Sequence, residues 1–364
     1  MYNIITMKKT ILCITMAMML LFACTNFGCT QTTNVHVFNY FNTAIRLESH
    51  SKPLTNSVIN QLDELFSELD ATFDANNKNS QLYKFNAGES EYSIKDHTIA
   101  NLTKKCKDYY ALSHGKFNPA IRPLVSLWQF DTYKVLNFTP PTDEQVLQSL
   151  VESNFDMVSV DVANGTITKS QAYTQLDFGG VLKGYAVDKA LEILQSQGYD
   201  KGYLSMGGSS IALLNVTSLA IRHPRQTSSL NTIVNVNVSN LKNTIVSTSG
   251  DYEKYYTYQG VRYSHIIDST TGKPADTGIM SATLIGLDGG LSDALSTVIC
   301  AMDYNPEQPA TCELVLFLNT LTALYPDCAY YVFYGKDDNL SLITNKKQGE
   351  DFTLLDNQYK VVNL

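Results

Sequence analysis

The chain carries seven cysteines but no C-x-x-C pair, so zinc-ribbon and thioredoxin-type readings lack their local signature. Its six histidines form no H-E-x-x-H, and no G-x-S-x-G occurs. Zincin and serine-hydrolase readings are therefore unsupported. A Lys/Arg-rich block is missing, and the formal net charge is -8, which argues against a nucleic-acid partner. Glycine (20) and proline (10) are too few for a fibrous or disordered chain, and no solenoid or propeller period recurs. The apolar run Ile11–Phe22 is too short for a permanent bilayer span.

That run has another use. "MKKTILCITMAMMLLFAC" begins at Met7 with Lys8 and Lys9 and ends at Ala23-Cys24, as a bacterial secretory signal does. "LFAC" resembles a lipobox in which Cys24 becomes the lipidated first residue. "NFGC" at Cys29 is the weaker candidate, and a plain cleaved signal is the bland one. The expected organisation is a signal over 1–23, a tether over 24–35 and one functional domain over 36–364. The expected location is a lipid-anchored protein at a membrane surface, facing the periplasm or cell exterior. Export permits disulfides among Cys106, Cys300, Cys312 and Cys328; buried free thiols are the alternative.

Periodicity predicts helices over 57–73, 97–113, 180–197 and 311–324, and another through "LSDALSTVICAM". A strand or hairpin is expected over 35–49, and strands over 156–162, 166–169 and 172–177, on both sides of the Gly pair in "GYLSMGGSSIALL", and through "TIVNVNV" and "NTIVSTSG". "DANNKNSQLYKFNAGES" reads as a polar loop and 137–145 as a linker. Strands and helices mix without strict alternation, so the fold class is α+β with mixed sheets and packed helices.

Three constellations can carry chemistry. In "QLDFGGVLKGYAVDKALEIL" a Gly pair and Lys183 stand at a helix mouth, where free N–H groups attract anions. The bland alternative is Asp177 capping the helix beside a solvated Lys183. In "GGLSDALSTVICAM", Ser292 is the expected N-cap. Asp293 and Thr297 stand four apart, so both oxygens face one way, a corner suited to Mg²⁺ or Ca²⁺. The alternative is Asp293 on the helix dipole with Thr297 packed inward. In "YSHIIDSTTG", His265 is either a hydrogen-bonded strand residue or an acid/base.

Taken in order, these stretches resemble the ApbE family of FAD:protein FMN transferases. "LDFGGVLKGYAVDKA" resembles its glycine-rich signature, "YLSMGGSSI" the segment after it, and "STSGDYEKYYTYQGVRYSHIIDSTTGKP" its most characteristic block. "SDALST" is similar to its D-A-x-x-T metal motif; "HGKFNPAIRPLVSLWQF" and "LDATFDANNKNSQLYKFN" correspond upstream. The matches span about residues 36 to 302. The resemblance implies two intimately joined lobes with a T-fold-like core, and a FAD site between them. It implies flavin and adenine contacts from Phe41, Phe73, Lys116, Phe117, Asn118, Asp177, Lys183 and Ile267. It places Mg²⁺ on the pyrophosphate, held by the backbone oxygen of Gly180 and the side chains of Asp293 and Thr297. His265 is the candidate base or phosphate contact. The implied reaction moves FMN from FAD to a Thr of an extracytoplasmic electron-transfer subunit and releases AMP. A FAD pyrophosphatase and a non-catalytic flavin-binding lipoprotein are the competing functions. Asn118, Phe73 and Ser269 stand where the family usually has Asp, Tyr and Pro.

Overall fold

The computed structural model describes residues 34–88, 92–132, 137–225, 231–241, 243–336 and 338–364. The signal, the tether up to residue 33, Cys24 and Cys29 lie outside the described residues.

The described chain opens with β1 (Asn34–Tyr40) and β2 (Thr43–Ser49), joined by Phe41 and Asn42. Both of these have positive φ, 54° and 55°. A two-residue hairpin turn of the primed type needs this, and it is costly for a residue as bulky as Phe41. Helix α1 (Asn56–Phe73) follows, capped by Thr55, whose hydroxyl accepts from the Val58 amide. Its buried stripe of Val58, Leu62, Phe66, Leu69 and Phe73 matches the helical period. Helix α2 (Gln81–Ala87) occupies part of the stretch expected to be a polar loop. Ser80 caps it, and Leu82 and Phe85 are buried, so two apolar anchors suffice for seven residues.

Strand β3 (Ser93–Lys95) leads to α3 (His97–Leu112) and then α4 (Arg122–Leu127). The expected linker over 137–145 is not one. Phe138 stacks on Tyr256 at 4.2 Å, and α5 (Asp143–Glu152) starts inside it, with a capping box between Thr142 and Gln145. Strands β4 (Val158–Asp161) and β5 (Thr166–Lys169) form a small sheet with β3. The strand expected over 172–177 is absent: the segment joins no strand ladder among the described residues and runs as irregular chain into α6 (Leu182–Ser196).

Beyond α6 lie β6 (Gly202–Met206), β7 (Ser210–Leu214), β8 (Ser218–Arg222), β9 (Thr232–Asn237) and β10 (Thr244–Gly250). The hairpin β11 (Tyr255–Tyr258) and β12 (Val261–Ser264) follows, then the short pair β13 (Ile267–Asp268) and β14 (Lys273–Pro274). The chain ends with β15 (Ile279–Ile285), α7 (Gly289–Cys300), α8 (Glu313–Leu324), β16 (Ala329–Lys336), β17 (Asn339–Thr344), β18 (Phe352–Leu354) and β19 (Lys360–Asn363).

The central sheet runs β1-β2-β6-β7-β10-β15-β16-β17-β19. Its pleat divides the interior. On β16, Tyr330, Val332 and Tyr334 join one core, while Ala329, Tyr331 and Phe333 join another. The first core is filled from the helices, including α1, α6 and α7. The second is closed by the β18-β9-β8 sheet. A third, smaller core gathers Leu124, Trp128, Phe130, Phe138, Tyr256 and Ile267, and Trp128 Nε1 donates to the Gly272 oxygen at 2.8 Å. It fixes the β11–β14 region against α4. Val35–Leu364 forms a single contact unit, which does not separate the two lobes that the resemblance implies. Cys106, Cys300, Cys312 and Cys328 are all free thiols.

Candidate active site

The chain enters α6 through a set of local bonds. Asp177 donates its amide to the Pro119 oxygen at 2.8 Å. Its Oδ1 accepts from the Gly179 amide at 2.8 Å, and its Oδ2 lies 3.3 Å from Arg122 Nη1. Asp177 thus closes the glycine turn and does not cap the helix. The N-cap is Val181, whose side chain offers no acceptor. The Gly180 carbonyl accepts no hydrogen bond among the described residues. Lys183 sits in the first turn, with Nζ 3.5 Å from the Gly179 oxygen.

One first-turn amide has a partner from another helix. The Gly184 N–H donates to Asp293 Oδ2 at 3.0 Å. This needs α6 and α7 to touch backbone to backbone. A Cβ on Gly184 would fall 1.9 Å from the Gly289 oxygen and 2.7 Å from Asp293 Cβ. Asp188, one turn further along α6, accepts from the Gly289 and Gly290 amides at 2.6 and 3.1 Å. Burial pushes its pKa up to about 6 against the pull of those two amides. The N-cap of α7 is Asp288, which accepts from the Leu291 amide, and not Ser292 as expected. Ser292 lies in the first turn proper, its hydroxyl buried without a partner among the described residues. Asp293 therefore stands in the second turn.

Asp293 and Thr297 both lie on α7, one turn apart. Asp293 is 3 % exposed, and its Oδ1 makes no hydrogen bond among the described residues. Thr297 Oγ1 donates back to the Asp293 carbonyl at 3.1 Å and lies 2.9 Å from Ser249 Oγ on β10. The half-satisfied Asp293 carboxylate, the Thr297 hydroxyl and the open Gly180 carbonyl are all hard oxygen donors. That set fits Mg²⁺.

His265 follows β12. Its backbone amide and its Nδ1 both contact the Lys254 oxygen, at 3.0 and 3.1 Å. A carbonyl only accepts, so Nδ1 carries the proton and Nε2 keeps a lone pair. Part of the ring reaches the surface, yet protein hems it in closely. That desolvation, with the charges of Lys254 and Lys183, pushes its pKa down to about 4.

The remaining candidates lie in several local settings. Lys116 Nζ reaches Asp268 Oδ2 (3.3 Å), the Ala301 oxygen (3.2 Å) and Glu313 Oε1 (3.4 Å), so it ties "HIID" to the end of α7. Ser269 donates to the Gly115 and Lys116 oxygens at 2.8 and 2.9 Å, replacing a proline's rigidity with a direct tether. Phe117 stands about a side chain's width from Gly180, 3.8 Å from where its Cβ would be. Asn118 caps the Pro119–Ile121 turn and donates to the Ser153 oxygen at 2.7 Å. Ile267 is buried in the third core, and Phe73 packs edge-on against Phe178 at 5.1 Å. Phe41 is set apart. Its amide donates to Asp70 Oδ1 at 2.9 Å, and it lines a separate hollow of about 410 Å³ with Asn39 and Asp70. Another hollow of about 620 Å³, lined by His50, Tyr203 and Leu213 among others, shares no residue with this cluster.

Sequence reasoning missed Gly184, Asp188, Gly289, Ser249 and Arg122. Gly184 carried a readable signal, because a glycine inside a helical stripe often marks a close approach. The others have roles that only the fold defines.

A family model described as the ApbE family matches residues 32–313. A FAD:protein FMN transferase of Treponema pallidum is 30% identical over 286 residues, covering 72% of this chain and 76% of the relative. One from Vibrio cholerae is 27% identical over 245 residues, covering 66% and 72%. Among solved structures, the ApbE protein of Thermotoga maritima superposes with a TM-score of 0.70 at 25% identity, over 82% of this chain and 94% of that one. The flavin transferase ApbE of Vibrio cholerae gives 0.71 at 22% identity, over 86% and 96%, a likeness of fold.

Proposed function

The chain belongs to the ApbE family, and from that premise we propose that it transfers the FMN part of FAD to a threonine hydroxyl of an acceptor protein and releases AMP. The relatives named above carry the name FAD:protein FMN transferase. The observation that carries the reading is the join between α6 and α7. It sets an uncapped helix mouth, an open Gly180 carbonyl and the half-satisfied Asp293 side by side. Such a corner suits a pyrophosphate and its cation, and Gly179 and Gly180 let the backbone come close.

Gly180 O, Asp293 and Thr297 would hold Mg²⁺, which when bound neutralises pyrophosphate charge and eases departure of AMP. Lys183 adds a positive charge at the same mouth. The acceptor Thr oxygen attacks the FMN phosphorus, and the bond from that phosphorus to the bridging oxygen of AMP breaks. His265 Nε2, neutral and oriented by the Lys254 carbonyl, takes the Thr proton. Phe73, Phe117 and Ile267 supply apolar surface for the flavin and adenine rings, while Lys116, Asn118 and Asp177 hold the loops that carry it. Phe41 contributes from its own hollow.

The proposal extends to location. Residues 1–23 direct export, residues 24–35 act as a tether, and a lipid on Cys24 holds the domain over 36–364 at a membrane facing the periplasm or exterior. The acceptor is then an extracytoplasmic electron-transfer subunit. Incubation with FAD, Mg²⁺ and an acceptor domain, followed by AMP quantification and acceptor mass, tests the activity.

A further inference from the structure

Lys169, at the end of β5, has no solvent-accessible surface. Its ammonium makes no ion pair among the described residues. It donates instead to three backbone carbonyls: Asn86 at 3.2 Å, Ala172 at 3.0 Å and Thr174 at 3.1 Å. The Phe85 ring lies 5.4 Å away. Asn86, on α2 and itself 8 % exposed, completes the arrangement. Its side chain donates to the Leu176 oxygen at 2.8 Å and accepts from the Leu176 amide at 2.7 Å. The segment that reads as a strand and is not one is therefore gripped at Ala172, Thr174 and Leu176 by two side chains. Asp177 and the Gly179–Gly180 turn come next.

We propose that Lys169 and Asn86 form a clamp that positions the Asp177–Gly180 turn for flavin binding, which makes Lys169 a positioning residue for the FAD site. The proposal rests on the reading of that turn as part of the pyrophosphate site. A strand ladder would fix 172–177 by its own backbone pairs. Here three carbonyls depend on one ammonium, and the loss of one donor frees a carbonyl in a buried place.

The clamp is proton-dependent. An ammonium has three N–H donors and matches three acceptors, whereas a neutral amine has two. Burial without a counter-charge lowers the Lys169 pKa to about 8. The groups against its ammonium are the Phe85 ring and the Asn86 carbonyl of α2 and the Ala172 and Thr174 carbonyls of its own loop, with no carboxylate bonded to it among the described residues. The signs are opposite for two observables. The folded pKa lies below the ordinary lysine value, so this group's contribution to global stability rises as pH climbs from 8 towards that value. Affinity for FAD should fall over the same interval, because the turn is less firmly held.

The test compares wild type, Lys169→Met and Lys169→Arg for FAD dissociation constant from pH 6.5 to 9.5, for kcat at saturating FAD, and for amide hydrogen exchange at residues 172–180 without FAD. Losing hydrogen bonds to a charged group predicts a rise of about 10- to 100-fold in the Lys169→Met dissociation constant. It also predicts faster exchange confined to that segment and a kcat within about twofold of wild type. Lys169→Arg, which stays charged, should remove the loss of affinity above pH 8. If Lys169→Met does not fold, the Arg profile decides alone. Wild-type affinity flat from pH 7 to 9.5, or Lys169→Met with unchanged exchange and affinity, overturns the clamp. Wild type that binds no FAD while Lys169→Met still speeds exchange overturns the flavin-site reading and leaves the clamp standing as a structural joint.

Discussion

At the residue scale, the proposed function gives Asp293 and His265 different parts in the chemistry. Asp293 is buried with one oxygen engaged and one open, a state that favours a cation neighbour. Asp293→Ala should lower turnover by about 10³-fold or more, since the cation supplies several kcal/mol of charge stabilisation. FAD binding should weaken less, because the other candidate contacts remain. Titration with a chelator checks the same point: full wild-type turnover in excess chelator contradicts it. In the proposed reaction His265 acts as a neutral base. Its lowered pKa means that the folded chain resists protonating it, so its share of stability is intact above the ordinary histidine value and is lost as pH falls towards about 4. The transfer rate should accordingly hold between pH 6 and 8, with its acid limb at lower pH. His265→Ala should keep the fold and FAD affinity, lose about 10²- to 10⁴-fold in rate, and lose that acid limb. Near wild-type transfer by the variant would return His265 to a strand-terminal structural role.

At the scale of elements, the join of α6 and α7 is the sensitive part. Gly184 and Gly289 face each other so closely that any side chain meets backbone. Gly184→Ala should cost about 1–3 kcal/mol through overpacking. It should also raise the Mg²⁺ concentration needed for half-maximal activity, because Asp293 is displaced with its helix. Thermal unfolding and a metal titration on one preparation measure both; a stable variant with unchanged metal requirement contradicts the prediction. This join shows what was legible beforehand. The Asp293–Thr297 pair was readable because an i, i+4 spacing needs only a helix. Helices α1, α3, α6, α7 and α8 were readable from their stripes. The 172–177 segment was misread because its alternation looks like a strand, while its partners are a lysine and an asparagine far away in sequence. Helix α2 was missed for lack of length, and the cap of α7 was placed at Ser292 because glycines conceal the helix's true start at Gly289. None of the site contacts of Asp188, Ser249 or Arg122 has a local pattern at all.

At the scale of the whole molecule, the order of the central sheet was beyond sequence reading. β10 pairs with β7 and β15, and β2 pairs with β6 across more than a hundred residues. Only the α+β class and the ApbE family were foreseeable, the family through resemblance. Export and anchoring belong to this scale too. Cys24→Ala should release the protein from membranes into the soluble extracytoplasmic fraction, because two or more acyl chains are what anchors stably. Release by Cys29→Ala in place of Cys24→Ala would move the lipid to the other cysteine.

The central claim is that FMN leaves FAD for a protein hydroxyl and not for water. Intact-mass spectrometry of an acceptor domain incubated with this protein, FAD and Mg²⁺ tests it most directly, with AMP and free FMN quantified in the same reaction and a Thr→Val acceptor alongside. The predicted result is an acceptor heavier by one FMN less water, AMP released in equal amount, and no change in the Thr→Val acceptor. AMP and free FMN in equal amounts, with the acceptor mass unchanged, would contradict it and make the protein a FAD pyrophosphatase.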